Sequence, residues 1–551
     1  MYYLPNARRL LAVVSGLIIA MLLNGSAYAP AQTAPQKTVC QADLTPITDA
    51  DNALYKYDLI KAEELNGKQL KNNPNYEEAR AQLIHVMLLR GKIADAEAMA
   101  KEFLAAKPNS STAETAMTMV FYRKGNIPDA YKHVTRALAL NPCNGRAHRM
   151  LGRIYALTLM QNSARQQIMT AHALKPTDDE IYFLWLLWMP KREQVAAISD
   201  YMAHNPYYDK TDTILTSTLE KAKAPATAPP FPCKAVSAVQ NTQLPLQPMF
   251  TDTTPDSHRF ASIEYIETKG PQNANYPIRG WALDIYLNGK RHRMQLSTSH
   301  SGLVLTQVAA ERMKLTWPQA VPGSVYAPKA QLDSVRIGDL EFQNCGAEVL
   351  GNISLPNDVD GTIGMSVFRN YIVSMDAPAR KLSLAPLTPL PGQSEANSFT
   401  LQTAAAEDEF YDRYIPPGME NWTRVYRTAQ LWLLPTRIDT GQERLFALDT
   451  SSTYSFIDLE VARTVTKVKP LPGIFFHDDK GKLQPQMAAD QVTLVFAGIK
   501  QSAQNIFAKD FSSESDLFKL NIAGQLGLQS FPNMIINLDY RDGLIQFVPE
   551  K

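Results

Sequence analysis

The chain has 551 residues, 45% of them hydrophobic and 20% charged, with a formal net charge of +1. This balance disfavours a nucleic acid or an anionic membrane surface as partner, and the length predicts about three or four domains. The sequence has no zinc-type Cys/His spacing, phosphate-binding loop or dinucleotide fingerprint, so we expect neither a metal nor a cofactor.

The N-terminus has the pattern of an export signal. Arg8 and Arg9 precede an apolar run from Leu10 to Leu23, and Ala27-Tyr28-Ala29 offers a cleavage site between small residues. This layout predicts a secretory signal peptide over residues 1–29 and a periplasmic or secreted protein. An uncleaved anchor is the alternative, although the run is shorter than the roughly 20 residues that span a bilayer.

Four cysteines follow, and their scatter argues against a metal site: Cys40, Cys143, Cys233 and Cys345. An exported protein meets an oxidising environment, so disulfides are expected. Four cysteines allow three full pairings, and the sequence does not choose among them or exclude free thiols.

The first part of the chain has a 34-residue periodicity. Prolines recur at this spacing, and small residues recur with the same period: Pro74, Pro108, Pro142 and Pro176; Gly91 and Gly125; Ala96, Ala130 and Ala164; Ala105, Ala139 and Ala173. Small residues in register suit close packing of paired helices, and proline marks the end of each pair. The region 45–220 therefore resembles tetratricopeptide repeats, which implies an α-solenoid that binds a protein partner. The alternative is an inert spacer or a brace for the following domains.

Proline-rich sequence separates this region from the rest. Residues 221–249 contain Ala-Pro-Pro-Phe-Pro and Leu-Pro-Leu-Gln-Pro, which favour a stiff, extended chain. We expect a linker here.

Two similar β-rich halves follow the linker. Eight residues after Gly289 the first half reads Ser297-Thr298-Ser299, and eight residues after Gly441 the second reads Asp449-Thr450-Ser451. Each half then carries a Gly-x-apolar-Gly passage, followed twelve residues later by an acid: Gly361–Gly364 with Asp376, and Gly524–Gly527 with Asp539.

These two halves resemble retropepsin-like or pepsin-like aspartic protease lobes, over 250–392 and 400–551. The fold class expected for the whole chain is multidomain α + β, with the solenoid followed by two all-β, acid-protease-type barrels. The resemblance implies that Asp449 is the catalytic acid and that Thr450 braces its turn. Ser297 and Thr298 are the degenerate counterparts in the first half. Ser299 and Ser451 replace the glycine of the family turn.

The missing aspartate leaves the activity open. Aspartic protease chemistry needs two carboxylates that share a proton, and a serine hydroxyl cannot serve as one of them. One hypothesis is a peptide-binding scaffold on a degenerate protease fold, with a peptide or protein in the cleft between the lobes and a protein partner on the helical repeats. The alternative is an active aspartic endopeptidase that draws a second carboxylate from elsewhere.

Other polar residues near these motifs have simpler interpretations. Asp376 and Asp539 match each other away from the key turn and are expected to be structural. His292 and His300 flank Ser297, and a nucleophilic Ser–His pair is imaginable, but the sequence shows no orienting acid beside them. Tyr326 and the turn 478–481 fall where flap hairpins would lie, and ordinary hairpin tips explain them equally well.

Overall fold

The computed structural model of the chain describes residues 40–205, 234–250, 278–318, 327–391, 411–477 and 483–549. It also describes single positions between 216 and 223. Short gaps remain within these ranges at 238–239, 352–354, 356–357, 429–430 and 532–533. The predicted signal peptide, Cys233, Tyr326 and the turn 478–481 lie outside the described residues. Among the described residues, no helix has both the length and the apolar character that crossing a membrane requires.

Ten helices form the N-terminal region within the described residues. They are α1 (Asp49–Tyr55), α2 (Leu59–Asn72), α3 (Glu77–Leu89), α4 (Ile93–Ala106), α5 (Ser111–Arg123), α6 (Ile127–Leu140), α7 (Gly145–Leu157), α8 (Gln161–Leu174), α9 (Asp179–Leu187) and α10 (Lys191–His204). Each helix packs on the next, α9 and α10 through Tyr182 and Tyr201, and the first helices of successive pairs also meet, as α3 with α5 and α5 with α7. A helical-repeat array is confirmed.

The turns between helical pairs and part of the helix packing explain the 34-residue periodicity. The four prolines each follow the second helix of a pair by two residues, where a missing N–H breaks no helical hydrogen bond. The first set of alanines is completely buried between helices: Ala96, Ala130 and Ala164. The second set is exposed, so close packing does not explain its recurrence: Ala105, Ala139 and Ala173.

A disulfide joins the start of the described chain to the repeat array. Cys40 pairs with Cys143, which lies just before α7. Cys345 is also disulfide-bonded. The described cysteines therefore carry no free thiol. Of the three full pairings that four cysteines allow, one contains the Cys40–Cys143 bridge.

The remainder is β-rich. Its strands are β1 (Lys234–Ala235), β2 (Thr242–Pro245), β3 (Gln247–Phe250), β4 (Ile278–Leu287), β5 (Lys290–Ser297), β6 (Leu303–Thr306), β7 (Lys329–Ile337), β8 (Leu340–Leu350), β9 (Gly361–Gly364), β10 (Tyr371–Asp376), β11 (Lys381–Pro386), β12 (Thr423–Arg424), β13 (Tyr426–Thr428), β14 (Leu431–Ile438), β15 (Glu443–Leu448), β16 (Phe456–Asp458), β17 (Val468–His477), β18 (Leu483–Phe496), β19 (Ile499–Lys509), β20 (Ile522–Leu526), β21 (Met534–Asp539) and β22 (Leu544–Pro549). Among the residues that the structure describes here, three short α-helices accompany them: α11 (Gln307–Arg312), α12 (Leu459–Val465) and α13 (Ser512–Phe518).

The strands in the described part of this region form two eight-stranded sheets and a shared six-stranded sheet. The first lobe has the order β1-β8-β6-β9-β5-β4-β3, with β7 pairing β4 and β8, and the second has β13-β14-β15-β20-β16-β19-β18-β17. The third sheet runs β12-β22-β21-β10-β11-β2 and so draws strands from both halves. Because β10 of the first half pairs antiparallel with β21 of the second, the halves are joined edge to edge rather than hanging as separate barrels.

The range 221–249 predicted as a linker includes three strands within the described residues. Its last part forms β1, β2 and β3, and these pair with β8, β11 and β4 respectively. Pro245 and Pro248 sit in β2 and β3, which are outer strands of their sheets. An edge strand tolerates proline because its outward N–H has no ladder partner. Composition alone therefore misjudged this segment.

The helical array packs firmly on the second lobe. One hydrophobic cluster combines helix residues such as Val120 and Ile127 with Leu445, Phe511 and Ile522 of the lobe. Polar contacts reinforce it, since the Asn521 N–H donates to the carbonyl of Arg123 at 2.7 Å. The array is thus braced against the β region.

Candidate functional site

The two key turns are set by matching parallel strand pairs. In the first lobe β5 runs beside β9, with Ser297 opposite Gly364. In the second lobe β15 runs beside β20, and the Asp449 N–H donates to the carbonyl of Leu526 at 3.0 Å. Each turn therefore leaves its sheet at the same place in its lobe.

The glycines that close these passages are required by close backbone contact. A Cβ on Gly364 would lie 2.2 Å from the carbonyl oxygen of His300, and one on Gly527 would lie 2.3 Å from that of Tyr454. No side chain fits at such distances. The Gly-x-apolar-Gly passages thus allow the turns to lie against the strands.

Thr298 and Thr450 lock the two turns together. The Thr298 N–H donates to Thr450 Oγ1 at 3.2 Å, and the Thr450 N–H donates to Thr298 Oγ1 at 3.0 Å. Thr298 Oγ1 also donates to the carbonyl of Leu448 at 2.8 Å. Both threonines are buried, so these bonds fix the turns face to face. The two turns that carry the residues singled out from the sequence are thus brought to one place: Ser297 and Thr298, and Asp449 and Thr450.

The Asp449 carboxylate stands beside a row of serine hydroxyls. Asp449 Oδ1 accepts hydrogen bonds from the N–H of Ser451, at 2.9 Å, and from its hydroxyl. Ser451 Oγ lies 3.4 Å from Ser299 Oγ, which lies 3.0 Å from Ser297 Oγ. Within the described residues, the hydrogen bonds to the Asp449 carboxylate come from Ser451 and not from a second acid. Ser299 and Ser451 are therefore part of the site itself.

His300 ends this row, whereas His292 does not belong to it. His300 Nδ1 lies 3.0 Å from Ser297 Oγ and 3.4 Å from Ser299 Oγ. Burial lowers the pKa of His300, and the negative charge of Asp449 acts in the opposite direction. His292 instead meets Asp360, with 2.7 Å between Nδ1 and Oδ2.

The other matched acids lie in the shared sheet, away from the turns. Asp376 Oδ1 accepts from the N–H of Ala379 at 2.9 Å, as a turn-forming acid does. Asp539 is buried and accepts from the N–H of Asp542 at 3.0 Å. Burial and the neighbouring Asp542 raise the pKa of Asp539 to about 7. Their expected structural roles agree with these contacts.

A second concave feature lies on the helical array. A cavity of about 440 Å³ is lined by the first helices of the pairs and by Lys519 of the second lobe. Its walls include aromatic rings and paired charges: Tyr55, Tyr57, Tyr122, Phe183, Arg146 with Asp178, and Arg149 with Glu180. Lys519 Nζ donates to Tyr57 Oη at 2.6 Å across its rim.

Sequence reasoning missed the row of hydroxyls. It treated Ser299 and Ser451 as separate departures from the family turn and weighed His300 only as a partner of Ser297. The available signal was that matched positions in both halves changed together to serine. Their mutual contact depends on how the lobes face each other.

Similar structures exist for parts of the chain. A tetratricopeptide-repeat protein from Thermus thermophilus matches at 23% identity over 31% of this chain and 94% of that protein, with a TM-score of 0.25. MamA matches at 19% identity over 32% and 92%, with a TM-score of 0.18. A retropepsin-like aspartic protease from Rickettsia conorii matches at 22% identity over 19% and 80%, with a TM-score of 0.15. Because these identities and TM-scores are low, none of the similarities carries a function to this chain.

No family model and no curated protein matches the sequence. The helical repeats and the β-rich barrels are established by the structure, and the site is described by its own geometry.

Proposed function

We propose that this protein is an exported scaffold that holds an extended peptide or protein segment between two aspartic-protease-like lobes and a protein partner on its helical array. The carrying observation is the pair of turns locked by Thr298 and Thr450, which presents one carboxylate, Asp449, beside serine hydroxyls. The two turns face each other as in the proposed fold, but the described contacts of Asp449 include no second acid. An extended segment would bind there mainly by main-chain hydrogen bonds.

The alternative is an aspartic endopeptidase, in which Asp449 shares a proton with another carboxylate. Ser297 occupies the position where the family supplies that acid, and it is fully buried. A serine hydroxyl cannot split its titration with Asp449 as a second carboxylate does. The geometry therefore favours binding over dyad chemistry.

The helical array supplies the partner surface of the proposal. Its cavity offers aromatic area together with arginines already held by carboxylates, a combination suited to a peptide side chain and its backbone. Because Lys519 closes one side, a partner seated here would contact the array and the second lobe together.

Export is supported by covalent chemistry as well as by the N-terminal pattern. The Cys40–Cys143 bridge is of a kind that persists in oxidising compartments and is rare in the cytosol. Cell fractionation of the tagged protein tests this part, since retention in the cytosol with both cysteines reduced would contradict it.

The binding proposal is tested by incubating the purified chain with a diverse peptide library from about pH 3 to 8, beside Asp449→Asn and a statine-type inhibitor. We expect peptides to be retained, and retention to weaken when the cleft is altered by Ser451→Tyr, which adds bulk beside Asp449. Ser512→Tyr, on the first turn of α13, is the control for an added ring elsewhere.

Cleavage with an acidic optimum that disappears in Asp449→Asn and with the inhibitor would favour the endopeptidase instead. If the chain neither retains nor cleaves any peptide, both proposed functions of the two turns are contradicted.

A further inference from the structure

The serines that replace the family glycines connect Asp449 to a second titratable group. From the Asp449 carboxylate the contacts run through Ser451 and Ser299 to Ser297 and end at His300 Nδ1. The step between Ser451 and Ser299 crosses from one lobe to the other. The structure thus places an imidazole and a carboxylate at the two ends of one hydroxyl row.

The row has an inner and an outer side. Ser297 is fully buried, whereas Asp449, Ser451, Ser299 and His300 are partly exposed. A ligand that approaches from the exposed side therefore reaches Asp449 and His300 but not Ser297. This excludes Ser297 as a nucleophile in the observed arrangement and makes it a positioning residue for the imidazole.

The His300 backbone packs closely against Gly364, and its ring is held by two serine hydroxyls. Its carbonyl lies so close to Gly364 that no larger residue fits there, and the Gly364 N–H donates to the carbonyl of Gly302 at 2.8 Å. The Nδ1 atom is occupied by serine hydroxyls, and the described residues supply no hydrogen bond to Nε2. A fixed ring with one nitrogen free is the arrangement that a general base requires.

We infer that His300 takes the place of the missing carboxylate and, with Asp449, hydrolyses an acyl bond of a peptide or peptide ester held in the cleft. In this step His300 Nε2 accepts a proton from water as the water oxygen bonds to the acyl carbon. The bond from that carbon to the amine or alcohol then breaks, and the imidazolium returns the proton to the leaving group. The Asp449 charge stabilises the imidazolium, and no oxidant, metal or cofactor enters the balance.

The environment of His300 suits its role as the proton acceptor near neutral pH. Burial lowers the pKa of His300, which favours the neutral imidazole that can accept a proton. Asp449 is the charged group among the described residues that acts on the ring, and it opposes that lowering. Activity is therefore expected to rise through the His300 titration toward neutral pH, in contrast to an acid dyad.

This inference rests on the proposed function because it needs a peptide in the cleft, and the experiment separates the two. The full chain is given a peptide library and a set of peptide esters between pH 5 and 9, and binding and product release are measured in parallel. We expect products at pH 7–8 that gain one water, with turnover lowered about 100-fold or more in His300→Gln and Asp449→Asn. His204→Gln, at an exposed helix end, is expected to leave turnover unchanged.

Two further readouts guard against simple misfolding. NMR titration of the His300 ring, assigned by comparison with His300→Gln, is expected to give a lower pKa in Asp449→Asn than in the parent chain. Ser297→Ala is expected to shift the pH profile while circular dichroism stays native. Peptide retention without turnover at any pH would overturn the hydrolysis and leave the binding function standing, whereas loss of both would overturn both.

Discussion

Thr298 and Thr450 exchange hydrogen bonds across the boundary between the two lobes, each N–H donating to the other's hydroxyl oxygen. The exchange gives the lobes a fixed mutual position in a place that is almost completely buried. It also explains why one carboxylate can lie next to hydroxyls that belong to the opposite half of the chain.

The first prediction concerns this exchange. Thr298→Val removes the hydroxyl that donates to Leu448 and accepts from Thr450, so it strands two buried backbone groups. We expect the free energy of unfolding to fall by about 2–6 kcal/mol, since each of the two stranded buried groups costs about 1–3 kcal/mol. Thr450→Val removes one of the two reciprocal bonds and should cost less.

Urea unfolding of both variants checks the ranking. Thr135→Val, at an exposed helix position, serves as control and should stay within about 0.5 kcal/mol of the parent. Equal costs for the three variants would contradict the role given to the threonines.

The second prediction concerns the close-contact glycines. Gly364→Ala and Gly527→Ala push a Cβ against backbone oxygens that cannot retreat, so both should destabilise their lobe severely. Gly67, inside helix α2, has open space around it, and Gly67→Ala should instead stabilise by about 0.5–1 kcal/mol. Thermal unfolding of the three proteins measures the difference in sign.

The third prediction is a pH dependence. The pKa of Asp539 is raised to about 7 in the folded chain by burial and by Asp542, while the unfolded value is the ordinary 3.8. A raised carboxyl pKa contributes stability that is fully present below the unfolded pKa and is lost as pH rises from about 4 to 7. Asp539→Asn keeps an acceptor for the Asp542 N–H without the charge, so it should stabilise above pH 7.

Melting temperatures of the parent and Asp539→Asn between pH 4 and 8 check this. Asp376→Asn is the matched control in the other lobe, where the acid forms an exposed turn. If both variants changed stability with pH in the same way, the buried acid would not be the cause.

The fourth prediction concerns the contact between the helical array and the second lobe. The Arg123 side chain is buried, with Nη1 donating to the carbonyl of Ser515 at 3.1 Å and Nη2 pairing with Asp516. Arg123→Met should loosen this contact, so that the helical array and the β region unfold in two separate transitions. Proteolysis of the chain between the helical array and the β region should also become faster. Arg463→Met, which removes an exposed pair within helix α12, should leave a single transition.

The fifth prediction concerns the disulfide. Cys40 and Cys143 are 103 residues apart, and closing a loop of that size is expected to stabilise by about 4–5 kcal/mol where chain entropy dominates. Cys40→Ser and Cys143→Ser should lower the melting temperature equally, and the double variant should lower it no further. A larger loss in the double variant would show that the two cysteines do not act as one bridge.

Local patterns determined much of this protein. The periodicity of Pro74, Pro108, Pro142 and Pro176 predicted where each helical pair ends, because proline cannot continue a helix and the break is local to the chain. The matched turns at Ser297 and Asp449 predicted two similar β halves, since equal spacing from a hairpin glycine to a strand end gives equal local geometry.

Tertiary structure decided what these elements do together. That Thr298 meets Thr450, and that Ser299 meets Ser451, depends on packing between segments about 150 residues apart, which no local pattern encodes. The strands at 242–250 were hidden for the same reason, because an edge strand takes its hydrogen bonds from distant partners and so tolerates prolines that read locally as a linker. The sequence named the residues of the candidate site, and the packing of the two lobes decided which of them touch.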